Sequence, residues 1–450
     1  MLQRLSLVTA LVFAAMPSSP SLAQSSDVGM VAYNAGDYDE AAKDWLGRAS
    51  NGDHVAQHNL GHLYYEGRGV PQNHTEAARL YRLSADQGHA DAQNSLGALY
   101  EKGQGVPKNF PEAARLYGLS AAQGNATAQF NLGYLHRSGR GVEQSNNEAA
   151  RLYRLAADQG LAVAQYNLAI LYGEGQGVKQ DRAEAARWYK LAALQGLAQA
   201  QSNLGVLYDK GVGVPTDHEE AARWLKSAAD QGLAAAQSNL GTLYDRGQGV
   251  EQNITEAARL YRLAAAQGYA EAQFNLGLLY ENGRGFQQNV AEAARWYKLA
   301  ADQGFADAQS NLGTLYATGQ GVPQNYAEAA RWYRLAAAQG LPNAQFNLGL
   351  QYASGDGVTK NFAEAAGWYR LAAEQGKREA QYNLGVLYAN GEGVEKNDVW
   401  AYMWIKLSTD QGYQAGQKAL GFITRRLTPS NLMRAKELSS TCASKRFQGC

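Results

Sequence analysis

An all-α solenoid of paired helices is the fold class this chain predicts, and three observations carry the prediction. A 36-residue unit repeats ten times from Ala56 to Ala415 without insertion or deletion, and a constant period of that size marks units that bury their apolar faces against one another. Each unit holds two stretches with apolar residues three and four positions apart, the helical period, and no stretch with strand alternation. Between them every copy carries Gly-x-Gly, as at Gly67 and Gly69, a pair whose backbone freedom stops a helix.

The elements follow in order. Arg4, the apolar run Leu5–Met16 and the small residues of Ser21-Leu22-Ala23 read as a cleavable export signal over residues 1–23, which places the mature chain in the periplasm or outside the cell. Residues 24–55 read as an N-terminal cap, because Ala35–Ala42 (Ala-Gly-Asp-Tyr-Asp-Glu-Ala-Ala) makes a short turn inside Tyr33–Ala49. In each unit, positions 1, 5, 8 and 9 (Ala236, Leu240, Leu243 and Tyr244 in one copy) form the buried stripe of a first helix, helix A. Gly97, Gly133 and Gly205 at position 6 cost about 1 kcal/mol of helix propensity, so they predict close packing by a neighbour. Asn or Asp then stands three residues before Glu, as in Asn109 with Glu112, Asp181 with Glu184 and Asn289 with Glu292, a capping-box spacing that opens helix B. Helix B ends at Gln-Gly, where Gly88, Gly124 and Gly160 suit a left-handed C′ residue. The last copy exchanges Glu, Arg and Tyr for Trp400, Met403 and Ile405, and Leu427-Thr428-Pro429 opens a final helix, so residues 416–450 read as capping helices and tail.

Composition narrows the function. Lysine plus arginine and aspartate plus glutamate balance at 41 each, which gives no overall electrostatic reason for a nucleic-acid partner. After the leader no run approaches the roughly 20 apolar residues of a membrane helix, so membrane insertion is not expected. Charge is uneven only in the tail, where Arg425, Arg426, Arg434, Lys436, Lys445 and Arg446 face Glu437 alone. Cys442 and Cys450 are the two cysteines, and in an oxidising compartment they are a disulfide candidate. The Gly-x-Gly element lacks the preceding strand, the third glycine and the Lys-Ser/Thr pair of a phosphate loop; ten copies of it read as a structural joint. There is no nucleophile elbow and the carboxylates sit in capping or helix-face positions, so neither an enzyme nor a cofactor is expected.

Ala-Gln-x-Asn-Leu-Gly-x-Leu-Tyr-x-x-Gly-x-Gly followed by Glu-Ala-Ala-Arg-Trp-Tyr-Lys-Leu-Ala-Ala-x-Gln-Gly, most complete from Ala272 to Asp307, resembles the Sel-one-like repeat family, kin of tetratricopeptide repeats. The resemblance implies a right-handed superhelix of paired antiparallel helices serving as an adaptor for protein complexes or signalling. One branch of the family staples each repeat with a cysteine pair and is linked to penicillin binding; those cysteines are absent here. By the same analogy, positions 3 and 7 of helix A line a concave groove. They hold Phe130 with Tyr134, Tyr166 with Ile170, Phe274 with Leu278, Phe346 with Leu350, and Tyr382 with Val386. Either they form an exposed apolar row for a protein or an extended peptide, or they fill gaps between helices. Position 4 is Asn in nine copies (Asn59, Asn131, Asn167, Asn203, Asn239, Asn275, Asn311, Asn347 and Asn383) and Ser95 in one. These amides could clamp a peptide backbone, as related superhelices do, or satisfy their own neighbouring loops. His54, His58 and His62 share one helix side at spacing four and are candidates for a metal site or a pH sensor, or form a solvated edge. The expected role is an exported adaptor; the alternatives are a cell-wall-directed enzyme or ligand-binding protein and a secreted host-interaction factor.

Overall fold

The computed structural model describes residues 27–450, so the leader read in residues 1–23 lies outside the described residues. Among the described residues there are 24 helices and no strand, and consecutive helices pair and stack as a repeat solenoid. Each repeat contributes an A helix such as Ala90–Lys102 and a B helix such as Phe110–Ala122. The helices begin two residues ahead of the Ala-Gln register, at His54 in the first copy and Ala90 in the second. No helix is long and apolar enough to cross a membrane among those described.

The local rules hold with one amendment. Asn109 Oδ1 accepts from the Glu112 N–H at 3.1 Å, the forward half of a capping box. The return half is missing, because the Asn109 N–H already donates to the Tyr100 carbonyl at 2.9 Å. Glu112 therefore pairs with Arg115 at 2.7 Å, an exposed i,i+3 contact repeated by Glu76–Arg79, Glu148–Arg151 and Glu256–Arg259. Helix B stops at Gln123, and Gly124 follows with φ of +91°.

Two glycines do different jobs. A Cβ on Gly133 would stand 2.9 Å from the Tyr153 ring, so the missing side chain is what lets helix B's tyrosine lie against helix A. The second glycine of the loop is an inter-repeat joint: a Cβ on Gly105 would sit 2.0 Å from the carbonyl oxygen of His74, the first residue of the preceding B helix.

A second set of joints comes from glutamine. Gln57 Nε2 donates to the Ala49 carbonyl, in the hairpin before it, at 3.2 Å, and its Oε1 accepts from Gln87 Nε2 at 2.8 Å. The same Gln-to-Gln bond recurs in the other nine repeats, from Gln123–Gln93 to Gln411–Gln381.

The solenoid is closed at both ends of the described chain. Val28–Asn34 and Tyr38–Ser50 form the N-terminal hairpin around fully buried Trp45. At the other end Ala415–Arg426 and Pro429–Ser444 both pack on the last B helix, Asp398–Asp410. There Met403 and Leu407, at positions exposed in other repeats, are sealed together with Leu438, Cys442 and Phe447. Cys442 and Cys450 are bonded to each other.

The chain forms two compact units, one of the described residues to Ala236 with Gln248–Val250, the other of Gln237–Gly247 with Glu251–Cys450. Each has its own chain of apolar clusters, Phe130 to Leu207 prominent in the first and Ala293 to Trp332 in the second.

Candidate functional site: the variable face of helix A

Position 3 does not behave alike in the two units. In the first, Phe130 and Tyr166 are each 2 % exposed and Ile170 is fully buried, so the expected exposed row does not exist there; Tyr134 alone stays half-buried. The cause is contact within the hairpin and with the next copy. Phe130 stacks on Tyr153 at 5.5 Å and Tyr166 meets Tyr189 edge-on at 5.6 Å. Because Phe130 and Tyr166 occupy consecutive copies, they join one cluster that also takes in Val163 and Leu161.

In the second unit position 3 runs Ser238, Phe274, Ser310, Phe346, Tyr382, so that Phe274 stands between two serine copies. Phe274 still packs on Tyr297 at 5.6 Å and Phe346 on Tyr369 at 5.9 Å. Phe274 has a serine copy on both sides and Phe346 on one, and Phe274, Leu278, Phe346, Tyr382 and Val386 are half-buried while Leu350 is 40 % exposed. This is the part of the predicted row that a partner can touch without repacking the core.

A residue type that sequence reasoning missed completes each step. Position 34, just ahead of the next A helix, meets position 3 of its own repeat: Phe305 on Phe274 at 5.2 Å, Tyr413 on Tyr382 at 5.3 Å, and Lys377 Nζ 5.6 Å from the Phe346 ring. The sequence signal was partial: the two positions match as Phe274/Phe305, Tyr382/Tyr413 and His58/His89 but not in copies such as Phe130/Leu161 or Phe346/Lys377.

The asparagines are stitches between repeats. Asn311, Asn347 and Asn383 reach the hydroxyls of Tyr297, Tyr333 and Tyr369 in the repeat before them. Burial nevertheless pushes the Tyr369 phenol up to about 12. Asn131 Nδ2 donates to Asn94 Oδ1 at 3.1 Å, Asn167 Nδ2 to the Val163 carbonyl at 2.7 Å, and Asn203 Nδ2 to the Tyr166 hydroxyl at 3.5 Å. Asn59, Asn131 and Asn167 are buried, whereas Asn203, Asn239, Asn275, Asn311, Asn347 and Asn383 keep a half-buried edge. Asn131, Asn203, Asn311, Asn347 and Asn383 thus serve the preceding hairpin, Asn167 bonds within its own helix, and Asn59 Nδ2 is buried without a partner among the described residues.

The histidine trio is regrouped by stacking. His54 and His58 close on His89, with ring centroids 5.2 and 5.0 Å apart, while His62 turns to Glu66 at 3.4 Å. His58 is held by Asn59 Oδ1 at 3.3 Å and Ser95 Oγ at 3.4 Å. Burial, then the neighbouring His89 and His62, depress its imidazole to about 3. No three His, Cys, Asp or Glu side chains among the described residues are grouped to hold a metal ion.

Comparison with known proteins agrees with this architecture. Comparison with curated proteins returned no match. Among solved structures, the chain is similar to c5321, a protective antigen of uropathogenic Escherichia coli displaying an SLR fold. That likeness is 32 % identical at a TM-score of 0.60 and covers 90 % of this chain and 96 % of that one. It is also similar to a Sel1 repeat protein from Oxalobacter formigenes, 36 % identical at a TM-score of 0.56, over 69 % of this chain and 89 % of the other. The Sel1 repeat model matches ten times in unbroken succession, from 54–89 to 378–413, in phase with the helix starts. With four-fifths of its length in those repeats, the chain belongs to the Sel1 repeat family.

Proposed function

We propose that the chain is an exported adaptor that binds a protein or an extended peptide on the helix A face of its second unit, through Phe274, Leu278, Phe346, Leu350, Tyr382 and Val386. Sel1 solenoids typically serve as protein-interaction scaffolds and are typically non-enzymatic, and the finer assignment rests on one observation. Rings at position 3 are not required by the repeat, since serine fills it elsewhere, and in this unit they are left partly open. Exposed apolar side chains on a rigid frame are what a partner helix or strand recognises. Export rests on the signal pattern of residues 1–23. A photo-crosslinking amino acid at Leu350 or Val386, irradiated in the native compartment, should give one dominant protein adduct. The same probe at exposed Arg295 on helix B should not. Equal labelling at both places overturns the assignment, and retention of the full-length chain in the cytoplasm overturns export.

A further inference from the structure

We infer that the C-terminal cap is a docking surface for an anionic lipid membrane, bound from its face without insertion. Residues 415–450 hold seven cationic side chains against Glu437 alone, in a chain that is neutral overall at 41 of each sign. The helix Ala415–Arg426 contains no acidic residue. Lys418, Phe422 and Arg425 fall at i, i+4 and i+7 on its outward side, opposite buried Gly416 and Ile423. Phe422 is 59 % exposed and Arg426 lies against its ring at 5.6 Å. On the helix Pro429–Ser444, Met433 projects with 70 % of its surface in solvent between exposed Arg434 and Lys436.

The cations here differ from those on the B helices. Arg79, Arg115, Arg151 and Arg259 are each neutralised by a glutamate three residues earlier. In the cap, Arg426 pairs with Asp398 at 2.7 Å. Lys418, Arg425, Arg434, Lys436, Lys445 and Arg446 are exposed and form no ion pair among the described residues. The chain end adds to the display: it bends through Arg446 and Phe447, at φ of 51° and 69°, and turns Phe447 inward to Gly376 while Lys445 and Arg446 stay outside. Unpaired cations around single protruding apolar side chains suit a bilayer interface, where headgroups take the charge and Phe or Met enters the acyl boundary. A nucleic acid or an acidic protein would use the charge and leave Met433 unexplained.

The test is flotation of the purified full chain with phosphatidylcholine vesicles containing none or about 30 mol % phosphatidylglycerol, whose negative surface potential attracts polybasic segments. Binding should occur on the anionic vesicles only and be lost in high salt. R425E/R434E/K436E and, separately, F422S/M433S should each weaken it about tenfold or more, with unchanged circular dichroism and melting. No binding to either vesicle, equal binding to both, or full binding by both variants overturns the proposal. Capture by polyglutamate or heparin beads without vesicle binding also overturns it, in favour of an acidic macromolecule.

Discussion

Substituting Gly105 by alanine should loosen one inter-repeat joint, and Gly124 supplies the control. Both have positive φ, +70° and +91°, so a Cβ at either position incurs the left-handed backbone penalty of about 1–2 kcal/mol. At Gly124 nothing lies within 4 Å of the added carbon, and that penalty is the whole cost. At Gly105 the carbon would be 2.0 Å from the His74 carbonyl oxygen and 2.3 Å from its carbon. Main chain cannot swing aside as a side chain can, so the loop must lift off the preceding B helix. Overpacking adds about 1–3 kcal/mol, for a total near 2–5 kcal/mol. Because a solenoid unfolds repeat by repeat, hydrogen exchange is the appropriate assay. G105A should accelerate exchange in the A helices His54–Glu66 and Ala90–Lys102 and in the B helix His74–Asp86, well beyond G124A. Equal acceleration by the two variants would refute the joint and reduce the Gly-x-Gly element to a turn signal.

Leu240, 4 % exposed, should cost about 2–5 kcal/mol as L240A, read from the urea midpoint. The neutral His58 ring is the native form, so the unfolded chain binds its proton first. Its contribution is complete above pH 6.5 and is lost as pH falls toward about 3, with His62 and His89 shifted the same way by burial. The groups facing this cluster are Asp53, His54, Asn59, Glu66, Arg68, Tyr81, Asp91 and Ser95, and H58N should flatten the fall in melting temperature between pH 7.5 and 5.0. Reducing the Cys442–Cys450 bond releases a loop of sequence separation 8, worth about 2–3 kcal/mol on chain-entropy grounds. Exchange should rise in Pro429–Ser444 and leave the repeats untouched.

The period and the helix pairs could be read from residues because each follows from local chemistry or from repetition. The environment of position 3 could not. A wheel drawn for one helix sets Phe130 opposite Leu at position 5, and says nothing of Tyr153 arriving from the partner helix or of Tyr166 in the next copy. The same blindness tied His62 to His54 and His58, when stacking supplied His89 instead. It also hid the glutamine stitches, whose partners lie 30 residues apart although both positions are constant throughout. What varies between copies marked where function can sit; which of those positions remain open depended on packing from the partner helix and the neighbouring copies, which no single helix displays.

The proposal assigns the half-open rings of the second unit to a partner and the sealed rings of the first to the fold. Partner binding and melting temperature, measured together on F274S/F346S/Y382S and on F130S/Y166S, separate the two roles. The triple variant should lose at least about 1–2 kcal/mol of binding with little change in melting. The double variant should melt far earlier while its folded fraction binds normally. A triple variant that melts early and still binds, or a double variant that stays stable and stops binding, would contradict it.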